Sequence, residues 1–198
     1  ILVSGGYFVT CRQNGFLSYA PTNDYTNWTS RSLQVSETLN SIATNGSVIV
    51  AVGTNGIILR SSSTSPLSTF TPQTSPTTKV LNHVRFGNGQ FVAVGLNGTI
   101  ITSPDGITWT VRTSGTTLEL VRCRYIDSWY AVGRTGALIR GGTAGTTWAG
   151  GSTDARVAAG IAYNNGVYST MYRSSTDGVN WTSNYNNILD GNGNPYSA

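Results

Sequence analysis

At 198 residues the chain is long enough for one substantial domain, and 24 glycines with only 10% charged residues make it rich in turns and poor in helix-forming stretches. It has no apolar run of about 18 residues that would span a membrane as a helix, so membrane insertion is not expected. The formal charge of +4 comes from scattered arginines, with Lys79 the single lysine, which argues against the concentrated basic face of a nucleic-acid binder.

His83 is the only histidine, and Cys11 and Cys123 stand far apart with neither metal-knuckle nor redox spacing. No protein-built metal site and no cofactor is expected, and the two thiols read as buried and free. Ile1 without a preceding methionine or leader reads as an excised or processed end.

In chain order, short apolar strands recur at Tyr7, Val48, Gln90, Trp129 and Val167. Aligned on Thr10, Ala51, Ala93, Ala131 and Ser169, the copies step by 41, 42, 38 and 38 residues, a repeat architecture. A turn follows each of the first four strands, at Asn14-Gly15, Asn55-Gly56, Asn97-Gly98 and, in weaker form, Thr135-Gly136. Asn-Gly between apolar alternating runs predicts a hairpin, because both residues tolerate positive φ. A second turn leads to one aromatic residue per copy, Trp28, Phe70, Trp109, Trp148 and Trp181, expected as a wedge between neighbouring units. An apolar segment precedes each later hairpin, beginning at Leu39, Leu81, Leu118 and Val157, which completes four strands per unit.

Four antiparallel strands about every 40 residues predict an all-β fold, a β-propeller of about five four-stranded blades, with a fragment of a six- or seven-bladed ring as the alternative. The repeats run approximately 1–38, 39–80, 81–117, 118–155 and 156–198, together one domain. The tail from Ile188 is expected either to close the ring beside Ile1 to Val3 or to begin a further blade.

Ser103-Pro-Asp105-Gly106-Ile-Thr-Trp109 and Ser175-Thr-Asp177-Gly178-Val-Asn-Trp181 resemble the Asp-box, or BNR repeat, of sialidase-like propellers. The surrounding A-V-G-x-N-G unit is similar to repeats of photosystem assembly factors and bacteriophage virion proteins. Asp105-Gly106 and Asp177-Gly178 are adjacent, whereas the family motif usually inserts one residue between them. The role expected of these boxes is structural: Asp accepts backbone N–H groups within its own turn, Gly supplies positive φ and Trp anchors the next strand.

The sialidase resemblance would imply an arginine triad, a Tyr-Glu nucleophile pair and an acid-base Asp. Beyond the turn aspartates, the remaining carboxylates are Glu37, Glu119, Asp127, Asp154 and Asp190, with no second one in register with Glu119 for a hydrolase. No enzyme is expected. Aligning Leu81-Asn-His-Val-Arg85 with Leu118-Glu-Leu-Val-Arg122 makes Arg85 and Arg122 equivalent, so His83, Arg85, Glu119 and Arg122 are the candidate ligand site. Either they hold a carboxylate or sulfate of a glycan, or Arg and Glu satisfy one another between blades.

The sequons at Asn27, Asn45, Asn97 and Asn180 coincide with repeat turns and are read as turn chemistry. The function expected is a non-enzymatic structural and recognition module of a larger assembly. A bacteriophage virion is the leading case, with capsid or tail decoration, protein subunits and host-surface glycans as partners, and a virion or extracellular location. A free carbohydrate-binding lectin is the alternative, and a sialidase-like hydrolase the third.

Overall fold

The computed structural model describes residues 1–149, 160–170 and 173–183. Within them lie five four-stranded antiparallel sheets, each built from strands consecutive in sequence. The first blade is β1 (Leu2–Ser4), β2 (Tyr7–Cys11), β3 (Phe16–Pro21) and β4 (Thr29–Ser32). The second is β5 (Leu39–Thr44), β6 (Ile49–Gly53), β7 (Ile58–Ser61) and β8 (Phe70–Pro72). The third is β9 (Leu81–Gly87), β10 (Gln90–Gly95), β11 (Ile100–Ser103) and β12 (Thr110–Arg112). The fourth is β13 (Leu120–Tyr125), β14 (Trp129–Gly133), β15 (Leu138–Gly141) and β16 (Trp148–Ala149), and the fifth is β17 (Ala162–Asn164), β18 (Val167–Ser169), β19 (Arg173–Ser175) and β20 (Thr182–Ser183). This is the expected propeller of about five blades. The expected role of the Ile188 tail in closure falls outside the described residues.

The hairpins have the predicted chemistry. Asn55 and Gly56 sit at φ 56° and 69°, Asn97 and Gly98 at 56° and 64°, and Asn14 and Gly15 at 55° and 63°. The Ile57 amide closes the second-blade turn on the Thr54 carbonyl at 3.0 Å, and Thr99 closes the third on Leu96 at 3.1 Å. Two successive left-handed residues with that bond make a type I′ turn, whose twist matches the flanking strands. A side chain at Gly56 or Gly98 would run into the Thr77 or Thr116 carbonyl of the following connection. Each blade also has a tight turn between its first two strands, and Asn88-Gly89 and Asn165-Gly166 carry the same positive-φ pair there.

Among the described residues, blades join face to face through four apolar clusters. Phe70 packs with Val9 and Leu17 of the first blade, Trp109 with Val50 and Val52 of the second, Trp148 with Val92 and Val94 of the third, and Trp181 against Tyr130 of the fourth. These rings are the expected wedges. Trp109 is 7% exposed, whereas Trp28 of the first blade is 41% exposed. The first strands of successive blades, β5, β9 and β13, lie against one another as the innermost layer.

Strand pairing corrects two sequence alignments. Tyr168 faces Ser175 as Phe91 faces Ser103, and Ser169 faces Ser174 as Val92 faces Thr102. Ser169 is therefore equivalent to Val92 and Thr170 to Ala93, one residue beyond the expected match, and the last step becomes 39 residues. On the inner strands, Val92 faces Arg85 and its equivalent Tyr130 faces Arg124. Arg85 thus corresponds to Arg124, and His83, opposite Val94, corresponds to Arg122, opposite Val132. Matching Leu81 to Leu118 misplaced these residues by two, because the strand leucine facing the conserved-geometry glycine is Leu120, opposite Gly133 as Leu81 is opposite Gly95.

Candidate functional site

The Ser-x-Asp-Gly turns form closed hydrogen-bond systems. Asp105 Oδ1 accepts from the Ser103 hydroxyl at 3.0 Å and from the Ile107 and Thr108 amides at 2.8 and 3.2 Å. The Gly106 amide donates to Ser103 Oγ at 2.8 Å, and the Trp109 indole N–H donates to the Gly106 carbonyl at 3.2 Å. In the fifth blade, Asp177 Oδ1 accepts from Ser175 and from the Val179 and Asn180 amides, each at 2.8 Å. The amide of Gly178 donates to Ser175 Oγ at 2.9 Å, and the indole of Trp181 to the Gly178 carbonyl at 3.3 Å.

Both carboxyls are held below the ordinary carboxylate range. For Asp177 the leading cause is the Asn180 and Val179 amides; for Asp105 burial, the largest single effect, pushes upward but is outweighed by the combined Ile107 and Thr108 amides and the Ser103 hydroxyl. The indole-to-carbonyl bond survives where the Asp is lost: Trp148 donates to the Gly145 carbonyl at 2.8 Å. These turns also seat each blade on its predecessor, since a Cβ at Gly106 would meet Val50, one at Gly145 would meet Trp129 and Val92, and one at Gly178 would meet Tyr130.

The inner strands contain the other gathering of charge. His83, Arg85, Arg122, Cys123, Arg124, Val132, Gly160 and Ile161 line a cavity of about 380 Å³ across the third, fourth and fifth blades. His83, Arg85 and Arg122 of the sequence-derived set are brought together there. Glu119 is not: its Oε2 pairs with Arg134 Nε at 3.2 Å, and its Oε1 accepts from Asn82 Nδ2 at 3.1 Å. Arg124, which sequence reasoning missed, joins the cavity and donates to the Ile161 carbonyl at 3.0 Å. The signal that finds it is strand register, not the local L-x-x-V-R wording.

Among the described residues, neither Arg85 nor Arg122 has an ion-pair partner. Burial first, then the Arg122 and Arg85 charges, hold the His83 imidazole down to about 4, so it is neutral at pH 7. Its Nδ1 accepts the Cys123 amide at 3.3 Å, which leaves the proton on Nε2. Cys123 is buried, its thiol pushed well above the ordinary range by desolvation and donating to the Val92 carbonyl at 3.3 Å. Half-buried Cys11 is raised to about 11, again chiefly by burial. Neither thiol is poised as a nucleophile.

A second hollow of about 560 Å³ lies between the fourth and fifth blades, where Arg140, Trp148, Asn180 and Trp181 meet. At its edge Arg140 donates to the Tyr130 hydroxyl at 3.2 Å and to Ser128 Oγ at 2.8 Å, and lies 3.5 Å from Asp127 Oδ2. No group of three or more His, Cys, Asp or Glu side chains able to hold a metal occurs among the described residues.

No family model and no curated protein matches the chain in sequence. Solved structures match in shape. The WD40 β-propeller domain of Doa1 superposes with a TM-score of 0.62 at 9% identity over 86% of this chain and 60% of that one. The computationally designed Ika8 protein gives 0.66 at 9% identity over 90% and 55%. YCF48 bound to D1 peptide gives 0.47 at 13% identity over 89% and 76%. The chain thus spans little more than half the length of the first two. By architecture and by the first two of these likenesses, it has the fold of a β-propeller.

Proposed function

We propose that the chain is a non-enzymatic recognition and structural module of a larger assembly, a bacteriophage virion above all, where it decorates the capsid or tail and contacts host-surface glycans. One observation carries the reading: the distribution of its ionisable groups. Asp24, Asp105 and Asp177 are occupied within turns, and Glu119 and Asp127 are engaged with Arg134 and Arg140. The groups gathered in the inner cavity are cations and a neutral imidazole. Such a set holds an anion and lacks the two opposed carboxylates of glycoside hydrolysis. The BNR-like turns enter this reading as folding devices, and fold alone assigns no chemistry.

The test has three arms. Purified particles of the host virus are expected to contain the chain as a stoichiometric component, and its absence from them would remove the assembly reading. Binding on a glycan array is expected for acidic glycans above neutral ones. A fluorogenic sialoside is expected to stay intact, and hydrolysis lost on Glu119→Gln would overturn the non-enzymatic reading. The hollow beside Trp148 and Trp181 favours a second reading, a free lectin, because indole edges with Arg140 and Asn180 offer stacking and hydrogen bonds to a sugar. Neutral-glycan binding abolished by Asn180→Ala, without particle association, would select it.

A further inference from the structure

Successive inner strands are stitched by a repeated acceptor. In the second blade Ser41 Oγ accepts the amide of Val84, on the inner strand of the third, at 3.1 Å. In the third blade His83 Nδ1 accepts the amide of Cys123, on the inner strand of the fourth, at 3.3 Å. Register makes Ser41 and His83 equivalent, each immediately after the shift in pairing on its inner strand and opposite Val52 and Val94. Val84 and Cys123 are likewise equivalent, opposite Ala93 and Ala131. In the fourth blade the acceptor position is Arg122, opposite Val132, and the corresponding amide of the fifth blade is that of Ile161, next to Ala162 opposite Ser169.

A guanidinium has five donors and no acceptor, so Arg122 cannot make the bond that Ser41 and His83 make. At this seam the structure has the cavity, with Arg85, Arg122 and Arg124 around it and Gly160 and Ile161 on its far side. At the position of Arg85 and Arg124, the second and fifth blades carry Ala43 and Ala162, so this charge is absent from the blades on either side.

We propose that this cavity takes a phosphate-class dianion, free or as the terminal group of a larger ligand, which bridges Arg122 to the Ile161 amide and replaces the acceptor missing between the fourth and fifth blades. A tetrahedral oxyanion has the oxygens to accept from a guanidinium and an amide at once. Three guanidinium groups with no carboxylate among the described residues favour a dianion over a single carboxylate. The neutral His83 ring, its Nδ1 already engaged, adds an Nε2–H donor without adding charge. The inference rests on reading the chain as a binding module and names the ligand of its inner cavity.

The experiment is amide hydrogen exchange on the intact chain, with titrations of inorganic phosphate, glucose 6-phosphate, glucose and acetate. Phosphate is expected to slow exchange of the Ile161 amide by about 10-fold or more, the effect of one charge-assisted bond. Tighter binding of the sugar phosphate would identify a carried group, and tighter binding of inorganic phosphate a free ion; either supports the site. Arg122→Ser, which restores the acceptor of the second blade, is expected to protect Ile161 without any anion and to weaken phosphate binding by about 10-fold or more. Arg134→Gln, outside the cavity, is expected to leave both unchanged. An Ile161 amide indifferent to phosphate, undiminished affinity in Arg122→Ser, or equal binding of acetate would overturn the proposal. Phosphate binding by a chain absent from particles would sink the assembly reading alone, and a particle-borne chain whose Ile161 amide ignores phosphate would sink this inference alone.

Discussion

The turns before the wedge aromatics and the inner strands of the third and fourth blades treat charge in opposite ways. In the first region Oδ1 of Asp105 and Oδ1 of Asp177 each accept three bonds from their own turn, and the indole of the wedge is tied to the same turn. In the second, Arg85 and Arg122 face a cavity with no carboxylate to meet them among the described residues. A charge whose hydrogen bonds all close within six residues stabilises a fold, whereas charges gathered without partners repel one another and gain only when a ligand arrives. The contrast separates the part of the molecule that folds it from the part in which we propose a site.

The largest expected effect tests the folding side. Trp109→Ala removes a buried ring between the second and third blades and should cost about 3–5 kcal/mol in a urea melt. Trp28→Ala, at the same repeat position but 41% exposed, should cost about 1 kcal/mol. Equal losses would mean that the first blade's wedge is also sealed.

Next comes the pH dependence of the cavity. The unfolded chain protonates His83 near 6.5, whereas the folded chain resists protonation until about 4. Between those values the unfolded state binds the extra proton, so stability falls as pH drops through the window, by on the order of 3 kcal/mol, and is steady above it. His83→Asn should flatten that slope. The turn aspartates, with lowered values, contribute stability that is lost only at lower pH, as they protonate.

A smaller loss is expected for Asp105→Ala, about 1 kcal/mol, since it frees two exposed amides that water can then satisfy. Smallest of all is Arg122→Gln, which should change stability by less than about 0.5 kcal/mol and be neutral or slightly stabilising, because it relieves repulsion and breaks no ion pair among the described residues. A loss comparable with that of Trp109→Ala would place Arg122 among the folding residues and erase the distinction.

Much of the blade was legible in the residue order because its signals are local. Asn55-Gly56 and Asn97-Gly98 declare their turns through backbone sterics alone, and Ser103 to Trp109 closes its bonds within seven residues. The fifth blade was harder: Val167-Tyr-Ser-Thr-Met lacks the Ala-Val-Gly ending, and only the pairing of Tyr168 with Ser175 fixes its place. The cavity was half legible. His83, Arg85 and Arg122 were visible as a basic cluster, but Glu119 belongs with Arg134 and Asn82, and Arg124 emerges only from register.

The amino-acid order by itself determined the repeat, the turn types and the wedge, because each depends on φ preferences and apolar periodicity within one blade. Tertiary structure decided which inner-strand residues meet. That depends on the pairing shifts between Leu39 and Ser41, Val94 and Gly95, and Leu120 and Arg122. A shift of one residue in a strand turns every later side chain to the opposite face, and no local pattern in the leading segments records where it falls.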